Sequence, residues 1–433
     1  MECAMGRFTY PRYDDRCGWN ALLPKRMPRP SAQGEHRVKY AIIGGGYTGL
    51  AAARRLHTLD PNAEIAVLEA TEIGEGSSAR NSGFASQHDL KLDLSGTQLV
   101  HADTLNACLR EGFGALTDAM EQGGFTCEMQ HTGRITAAAT PLGVEKVEGM
   151  VSRAKTLGVV HRFLDRAAIR QATGMDYYQC GIAIDEGHLL QPAALIRGLA
   201  DTLPKAIALY ENSPVVRFEA GPPSIVATAQ ARFLADHVIF ATNAAIKNFG
   251  YWRDRLVTIF TFAGLTEALD SQDAANLGDP AWGVLPSHRL GTTLRRAGKN
   301  RLLVRSLYAY EKPLDLQHVH NALTSCFHRR YPMLKHRRLE HVWSGTTALT
   351  MNGAPRWGKV VEGVYGAAGC NGSGIVKGTL LGQRLANLIV TGQPQTDVEN
   401  VYGQANWVAP EPFRSIGFHA ISAVERRKAG LEM

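Results

Sequence analysis

Three glycines carry the first recognisable chemistry in this chain. Residues 38–49 read Val-Lys-Tyr-Ala-Ile-Ile-Gly-Gly-Gly-Tyr-Thr-Gly. The apolar run 40–43 predicts a short strand, and the helix-forming run 50–56 follows the glycines directly. Gly44 permits a tight turn, Gly46 lets the backbone approach a pyrophosphate, and Gly49 lets helix and strand pack closely. Tyr47 and Thr48 then open a helix whose unpaired N–H groups and positive dipole end suit phosphates. A second strand, 64–68, runs into Glu69 and Ala70, and the carboxylate there can take both hydroxyls of an adenosine ribose. The set predicts a dinucleotide site.

NAD, NADP and FAD all use this arrangement. Glu69 disfavours NADP, because a 2′-phosphate would meet a carboxylate. The segment 74–84 is rich in small and hydroxyl residues, with Ser77, Ser78, Arg80, Asn81, Ser82 and Gly83 in close succession. A loop of that kind suits the longer flavin dinucleotide. Towards the other end, 363–375 form a strand that breaks into a second glycine turn, with Gly369, Asn371, Gly372, Ser373, Gly374 and Ile375 before a predicted helix 376–389. A flavin's C2 carbonyl becomes anionic on reduction, and a helix N-terminus stabilises that charge.

The elements that position these residues follow from composition and period. With 433 residues, 45% of them hydrophobic, the chain can bury a large core and is expected to form two structural domains. No run of eighteen apolar residues predicts a membrane span, and the first residues carry charges and prolines without a secretory apolar stretch. Seven scattered cysteines without a Cys-x-x-Cys pair read as reduced thiols of a cytoplasmic protein, with no metal site. Residues 1–37 read as an extended arm lying on the surface. Helices are predicted over 106–120, 145–157 and 193–203, and strands over 131–139, 207–210, 214–218, 224–228 and 237–241. Residues 259–265, 291–296 and 301–308 alternate as half-buried antiparallel strands do, with 297–300 as a hairpin turn between the last two. The tail ends in a predicted helix, 420–427, to which no chemistry is assigned.

In this order and spacing the segments resemble the D-amino-acid oxidase superfamily of FAD-dependent oxidoreductases, in its γ-glutamylputrescine-oxidase and glycine-oxidase-like branch. The resemblance runs from about Val38 onward. It rests on the 44–49 turn with Glu69, the Ser-Ala-Arg-Asn-Ser-Gly loop 78–83, and Gly187-His-Leu-Leu-Gln-Pro192. Ala241-Thr-Asn243, Arg330-Tyr-Pro-Met-Leu334, Trp343-Ser-Gly345 and the turn 369–375 complete it.

The resemblance implies an α/β fold. A Rossmann-like FAD-binding domain (38–90, 160–250 and 340–398) would be interleaved with a substrate domain on a mixed or antiparallel sheet (91–159 and 251–339), with the arm 1–37 before and the tail 399–433 after. FAD would be bound non-covalently, although Cys370 lies in the second glycine turn. Val216 would pack near the adenine beside Ala241 and Thr242, the Arg80 loop would follow the ribityl and flavin portion, and Trp343 to Thr347 would approach the flavin face where substrate sits. His88 is a candidate to border the flavin, and Tyr308 and Tyr310 to line the pocket. Arg295, Arg296 and Arg305 are candidates for a positive charge near the flavin, with alternation turning Arg295 and Arg296 to opposite faces.

A departure bears on substrate. Relatives that oxidise amino acids clamp the carboxylate with an arginine just after the Trp-x-Gly element, and Thr347 stands at that place here. Threonine cannot make a bidentate clamp. The expected reaction is therefore oxidation of a small-molecule amine by hydride transfer to flavin, giving an imine that water hydrolyses, with O2 or another acceptor taking the electrons. A second reading is oxidation of D- or N-substituted amino acids, with an arginine from elsewhere as clamp. A third is a flavin-binding protein that recruits a partner or RNA through a basic face. Residues 289–338 hold twelve Lys/Arg against Glu311 and Asp315, a balance of 12 − 2 = +10. That run reads as a solvated basic helix end, and neither nucleic acid nor a membrane is expected as a partner.

Overall fold

The computed structural model describes residues 10–13, 15–88 and 102–433. Strand Gly34–Ile43 is buried along its apolar half, as a central strand covered on both faces must be. It pairs in parallel with Ile65–Leu68 on one side and Ala231–Phe240 on the other, and Val364–Ala368 adds in parallel beyond Ala231–Phe240. Ile207–Tyr210, Arg217–Glu219, Ser224–Ala227 and Arg356–Val361 complete this eight-stranded sheet. Parallel pairing brings four carboxyl ends to one edge. The Gly44 turn, Glu69, Ala241 and the Gly369 turn therefore meet there, in the crevice where open α/β sheets bind ligands. Helices Tyr47–Leu59 and Gly374–Thr391 start at the same edge and pack together. Glycine makes that close approach possible, since a Cβ on Gly382 would strike the Thr48 carbonyl oxygen.

A second eight-stranded sheet runs in the order Leu339–Leu349, Val257–Thr266, Arg301–Tyr310, Thr293–Ala297, Gly283–Pro286, Arg134–Ala138, Cys180–Ile184, His161–Asp165. It is mixed, with Gly283–Pro286 and Arg134–Ala138 parallel and the other pairs antiparallel. The expected hairpin is present, with Ala297 opposite Arg301 and with Lys299 and Asn300 left-handed in the turn. Strands His161–Asp165, Cys180–Ile184 and Leu339–Leu349 correct the expected domain limits. They lie in segments assigned to the cofactor domain, yet they hydrogen-bond into this second sheet. Long-range register, which no local pattern carries, decides their membership.

Both ends of the chain differ from expectation. Of the predicted arm, 1–9 and residue 14, with Cys3, lie outside the described residues; the rest keeps largely to the surface, with Met27 88% exposed, but dips into the interior at Cys17 to Asn20. Cys17 and Trp19 are fully buried, and Trp19 meets Trp343 edge-on at 6.2 Å. The last helix spans Phe413–Ala429, seven residues longer at its start than predicted. Beyond it the buried Glu432 carboxylate accepts hydrogen bonds from the His288 N–H (2.9 Å) and Ser287 Oγ, while the Arg330 guanidinium donates to the Glu432 carbonyl (2.9 Å).

The basic run divides between solvent and interior, with Arg289, Lys299, Lys312, Arg329, Lys335 and Arg338 exposed. Arg301 pairs with Glu340, Arg337 with Asp270 and Asp273, and Arg330 is buried. No helix among the described residues is long and apolar enough to cross a membrane.

Candidate functional site

A cavity of about 1740 Å³ runs from the glycine edge of the first sheet to the face of the second. That exceeds the roughly 300–1,000 Å³ of ordinary small-ligand sites and has room for a dinucleotide. Residues 44–48, 69–70, 77–82, 241–242 and 371–375 line one end, so most of the residues singled out for the cofactor converge. Gly44 is left-handed (φ 107°), and a Cβ on Gly46 would lie 2.6 Å from Ser78 Oγ. Gly49 stands behind the turn, where a Cβ would drive into the Gly44 carbonyl oxygen. Neither helix start carries a side-chain cap from its own N-cap residue. The Tyr47 N–H donates to Ser78 Oγ (3.3 Å), and helix starts of this kind suit anionic ligand groups.

Glu69 Oε2 accepts from the Gly45 N–H (2.9 Å), and Oε1 accepts from the Thr71 N–H (3.1 Å) and hydroxyl (3.2 Å). Burial raises its pKa against the lowering effect of these bonds. Oε2, which accepts one of these bonds, keeps accepting capacity for a ribose hydroxyl. Asn81 and Asn371 shape their turns from within: Asn81 Nδ2 donates to the Ser78 carbonyl (2.7 Å), and Asn371 Nδ2 to the Gly369 carbonyl (2.7 Å). Gly83 and Gly369 are left-handed turn residues off the cavity wall.

Four side chains are placed differently from expectation. Val216 is 52% exposed and turns outward, because alternation gives the cavity wall to its buried neighbour Val215. Trp343 is fully buried behind the wall, where its Nε1 donates to the Arg80 carbonyl (3.2 Å). Arg295 is a structural clamp: its guanidinium donates to the carbonyls of Ser82 (3.0 Å), Leu190 (2.7 Å) and Arg296 (2.9 Å), and burial pushes its pKa down to about 10. The guanidinium of Arg80, on the loop 77–82, is committed to the arm, pairing with Asp15 and lying 3.9 Å from the Tyr13 ring centre.

His88 and Thr347 do reach the wall. His88 Nε2 faces the Glu186 carboxylate. Thr347 Oγ1 lies 3.2 Å from Cys370 Sγ, and Cys370 is a free, half-buried thiol on the same wall. Tyr308 and Arg305 line the substrate end, whereas Tyr310 packs against Phe418 and bonds Glu411 instead.

Two groups of wall residues were missed. Tyr10 to Tyr13 and Asp15 come from the arm, and Tyr13 Oη lies 2.8 Å from Ser77 Oγ and 2.9 Å from Thr346 Oγ1. The last helix contributes Phe418, Ile421, Ser422 and Glu425. Their spacing is that of one helix face, a signal available in the sequence.

The family described as FAD dependent oxidoreductase matches residues 39–388. The chain belongs to this family of FAD-dependent oxidoreductases. It is 26% identical to the gamma-glutamylputrescine oxidoreductase of Escherichia coli strain K12, covering 80% of this chain and 82% of that one. It is 28% identical to a probable oxidoreductase, OrdL, of Rhizobium meliloti, covering 88% and 89%. Among solved structures it superposes on glycine oxidase from Geobacillus kaustophilus with a TM-score of 0.71 at 19% identity, covering 83% and 96%.

The residues present fit FAD. The buried Thr242 Oγ1 on the cavity wall has no hydrogen-bond partner among the described residues, as expected of a group that a ligand completes. As an FAD-dependent oxidoreductase, the protein would hold the adenosine ribose at Glu69, the pyrophosphate at Gly44 to Thr48, and the flavin between loop 77–82 and the turn 371–375.

Proposed function

We propose that this oxidoreductase oxidises a C–N bond of an amine, binds FAD non-covalently, and passes the electrons to O2 with release of H2O2. Thr347 carries the reading: it lies on the cavity wall, its side chain bonds the Cys370 thiol, and by the family resemblance it stands where relatives that oxidise amino acids have a carboxylate-clamping arginine. Its register partner is Ile259, and Val257 and Leu349 line the wall nearby. This neutral surface gives an α-carboxylate no counter-charge and favours an unprotonated amine, since burial disfavours an ammonium ion. The similarity to a gamma-glutamylputrescine oxidoreductase supports an amine substrate.

Bound FAD supplies the hydride acceptor. The chain's residues seat the amine against the Thr347 wall, with Phe418 and Ile421 of the last helix adding apolar lining. Loss of hydride from the neutral amine leaves an iminium ion, which releases a proton as the imine, and water converts it to a carbonyl compound and a free amine. Two electrons and two protons then reduce O2 to H2O2.

Anaerobic mixing with pools of amines and of α-amino acids tests the reading through the flavin band near ~450 nm, the cofactor's own absorbance. Amines are expected to bleach it, and air to restore it with peroxide formed. Bleaching by α-amino acids alone would overturn the assignment.

A further inference from the structure

Arg305 is a cation at the substrate end whose position the C–N chemistry does not explain. It lies on Arg301–Tyr310 in the middle of the second sheet, opposite Ala263 and Thr293, and its side chain lines the cavity. The Arg305 guanidinium carbon sits 4.5 Å from the Tyr308 ring centre, and one of its N–H groups donates to Tyr308 Oη. Tyr308 Oη in turn donates to the Arg289 carbonyl (2.8 Å), so its proton is committed and its lone pairs face the guanidinium. Among the described residues no carboxylate pairs with Arg305, in contrast to Arg301, Arg337 and Arg384. Glu425, an acid of the same wall, is engaged by His288 (3.2 Å) and Lys428 (3.3 Å). Arg305 is therefore braced against an aromatic ring with donors to spare.

Sheet register fixes how far the Arg305 Cα stands from that of Thr347. Thr347 is opposite Ile259, and Arg305 is opposite Ala263, four residues along the same strand and one strand further on. Two strand spacings of about 4.8 Å and four residues of about 3.4 Å separate the two Cα atoms by about 17 Å. The guanidinium reaches from the Arg305 Cα to Tyr308, which is opposite Thr261 and so lies nearer Thr347, and an anion held there matches a carboxylate set several bonds from an amine reacting beside Thr347.

We propose that Arg305, braced by Tyr308, is a subsite for a carboxylate that the substrate carries several bonds from the C–N bond being oxidised. The substrate class is then an ω-aminocarboxylate or an N-substituted relative of one. This rests on the amine reading, so the test has an arm that does not need turnover.

Holoenzyme kinetics would compare ω-aminocarboxylates of four to eight carbons with their matched ω-amino amides. Wild type is expected to favour the acid in kcat/KM by about 10- to 100-fold, the range of a charge-assisted bidentate contact. In Arg305→Met the acid-to-amide ratio is expected to fall to near one, with Arg305→Lys restoring part of it. In parallel, glutarate is titrated into each holoenzyme while its flavin spectrum is followed. Saturable perturbation in wild type, lost in Arg305→Met at equal FAD content, supports the subsite even where no amine is oxidised. Oxidation of amines with equal acid and amide ratios would overturn the subsite and leave the amine reading standing. Absence of glutarate binding in wild type would likewise overturn it.

Discussion

Thr242 presents a buried hydroxyl oxygen to the cavity with no partner among the described residues. An unmet buried hydroxyl costs about 1–3 kcal/mol unless a ligand completes it. Replacing it with an isosteric apolar group should relieve the ligand-free protein and penalise the bound one. Thr242→Val is expected to hold or raise the melting temperature of apoprotein while weakening FAD binding by about 5- to 10-fold in a fluorescence titration, the loss of one neutral hydrogen bond. Gly49→Ala gives the contrast: its Cβ strikes the Gly44 carbonyl, so both apoprotein stability and binding should fall. A Thr242→Val protein that melts lower yet binds FAD normally would show that the hydroxyl serves the fold.

The N-terminal arm acts as an element through one buried pair. Asp15 Oδ1 pairs with the Arg80 guanidinium, while Oδ2 accepts from the Ser344 N–H (2.9 Å) and hydroxyl (2.6 Å). Both side chains of the pair are almost inaccessible, at 2% and 5%. Removing one partner of such a pair typically costs about 3–5 kcal/mol, because the other charge stays buried. Asp15→Ala is expected near the lower end, since Glu75 Oε2 remains 3.3 Å from Arg80. Chemical denaturation of the holoprotein reads this directly, and a loss under about 1 kcal/mol would mean that Arg80 re-pairs or hydrates. The arm was illegible in sequence for a physical reason: its partners lie at Ser77, Arg80, Ser344 and Thr346, far along the chain. The 44–49 turn was legible because strand, turn, helix and acid are all local. Arg295 shows the intermediate case, in which alternation correctly turned it away from Arg296 and could not say whether its face held a ligand or loop carbonyls.

Across the whole molecule, four histidines on different elements, His288 buried and the other three half-buried, share one sign. Desolvation lowers the pKa of His188, His237, His288 and His341 below the ordinary 6.5. The unfolded chain therefore takes up these protons first, and the stability they contribute is complete above pH 6.5 and lost as pH falls through their lower folded values. Each adds up to about 1.4 kcal/mol of stability loss per pH unit within its window. Glu340, lowered by the hydrogen bond from Arg301, loses its contribution only below 4.5, and Glu69, raised by burial, acts with opposite sign above 4.5. The melting temperature is thus expected to start falling near pH 6.5, well before the carboxylates titrate. Calorimetry of the holoprotein from pH 7.5 to 5.0 should show that fall, and His237→Asn with His341→Asn should flatten it. Neither residue lines the cavity, so FAD content serves as the control for a change confined to the fold. A melting temperature that stays level down to pH 5 would mean that these rings are hydrated enough to protonate in the folded state, and that acid sensitivity begins with the carboxylates instead.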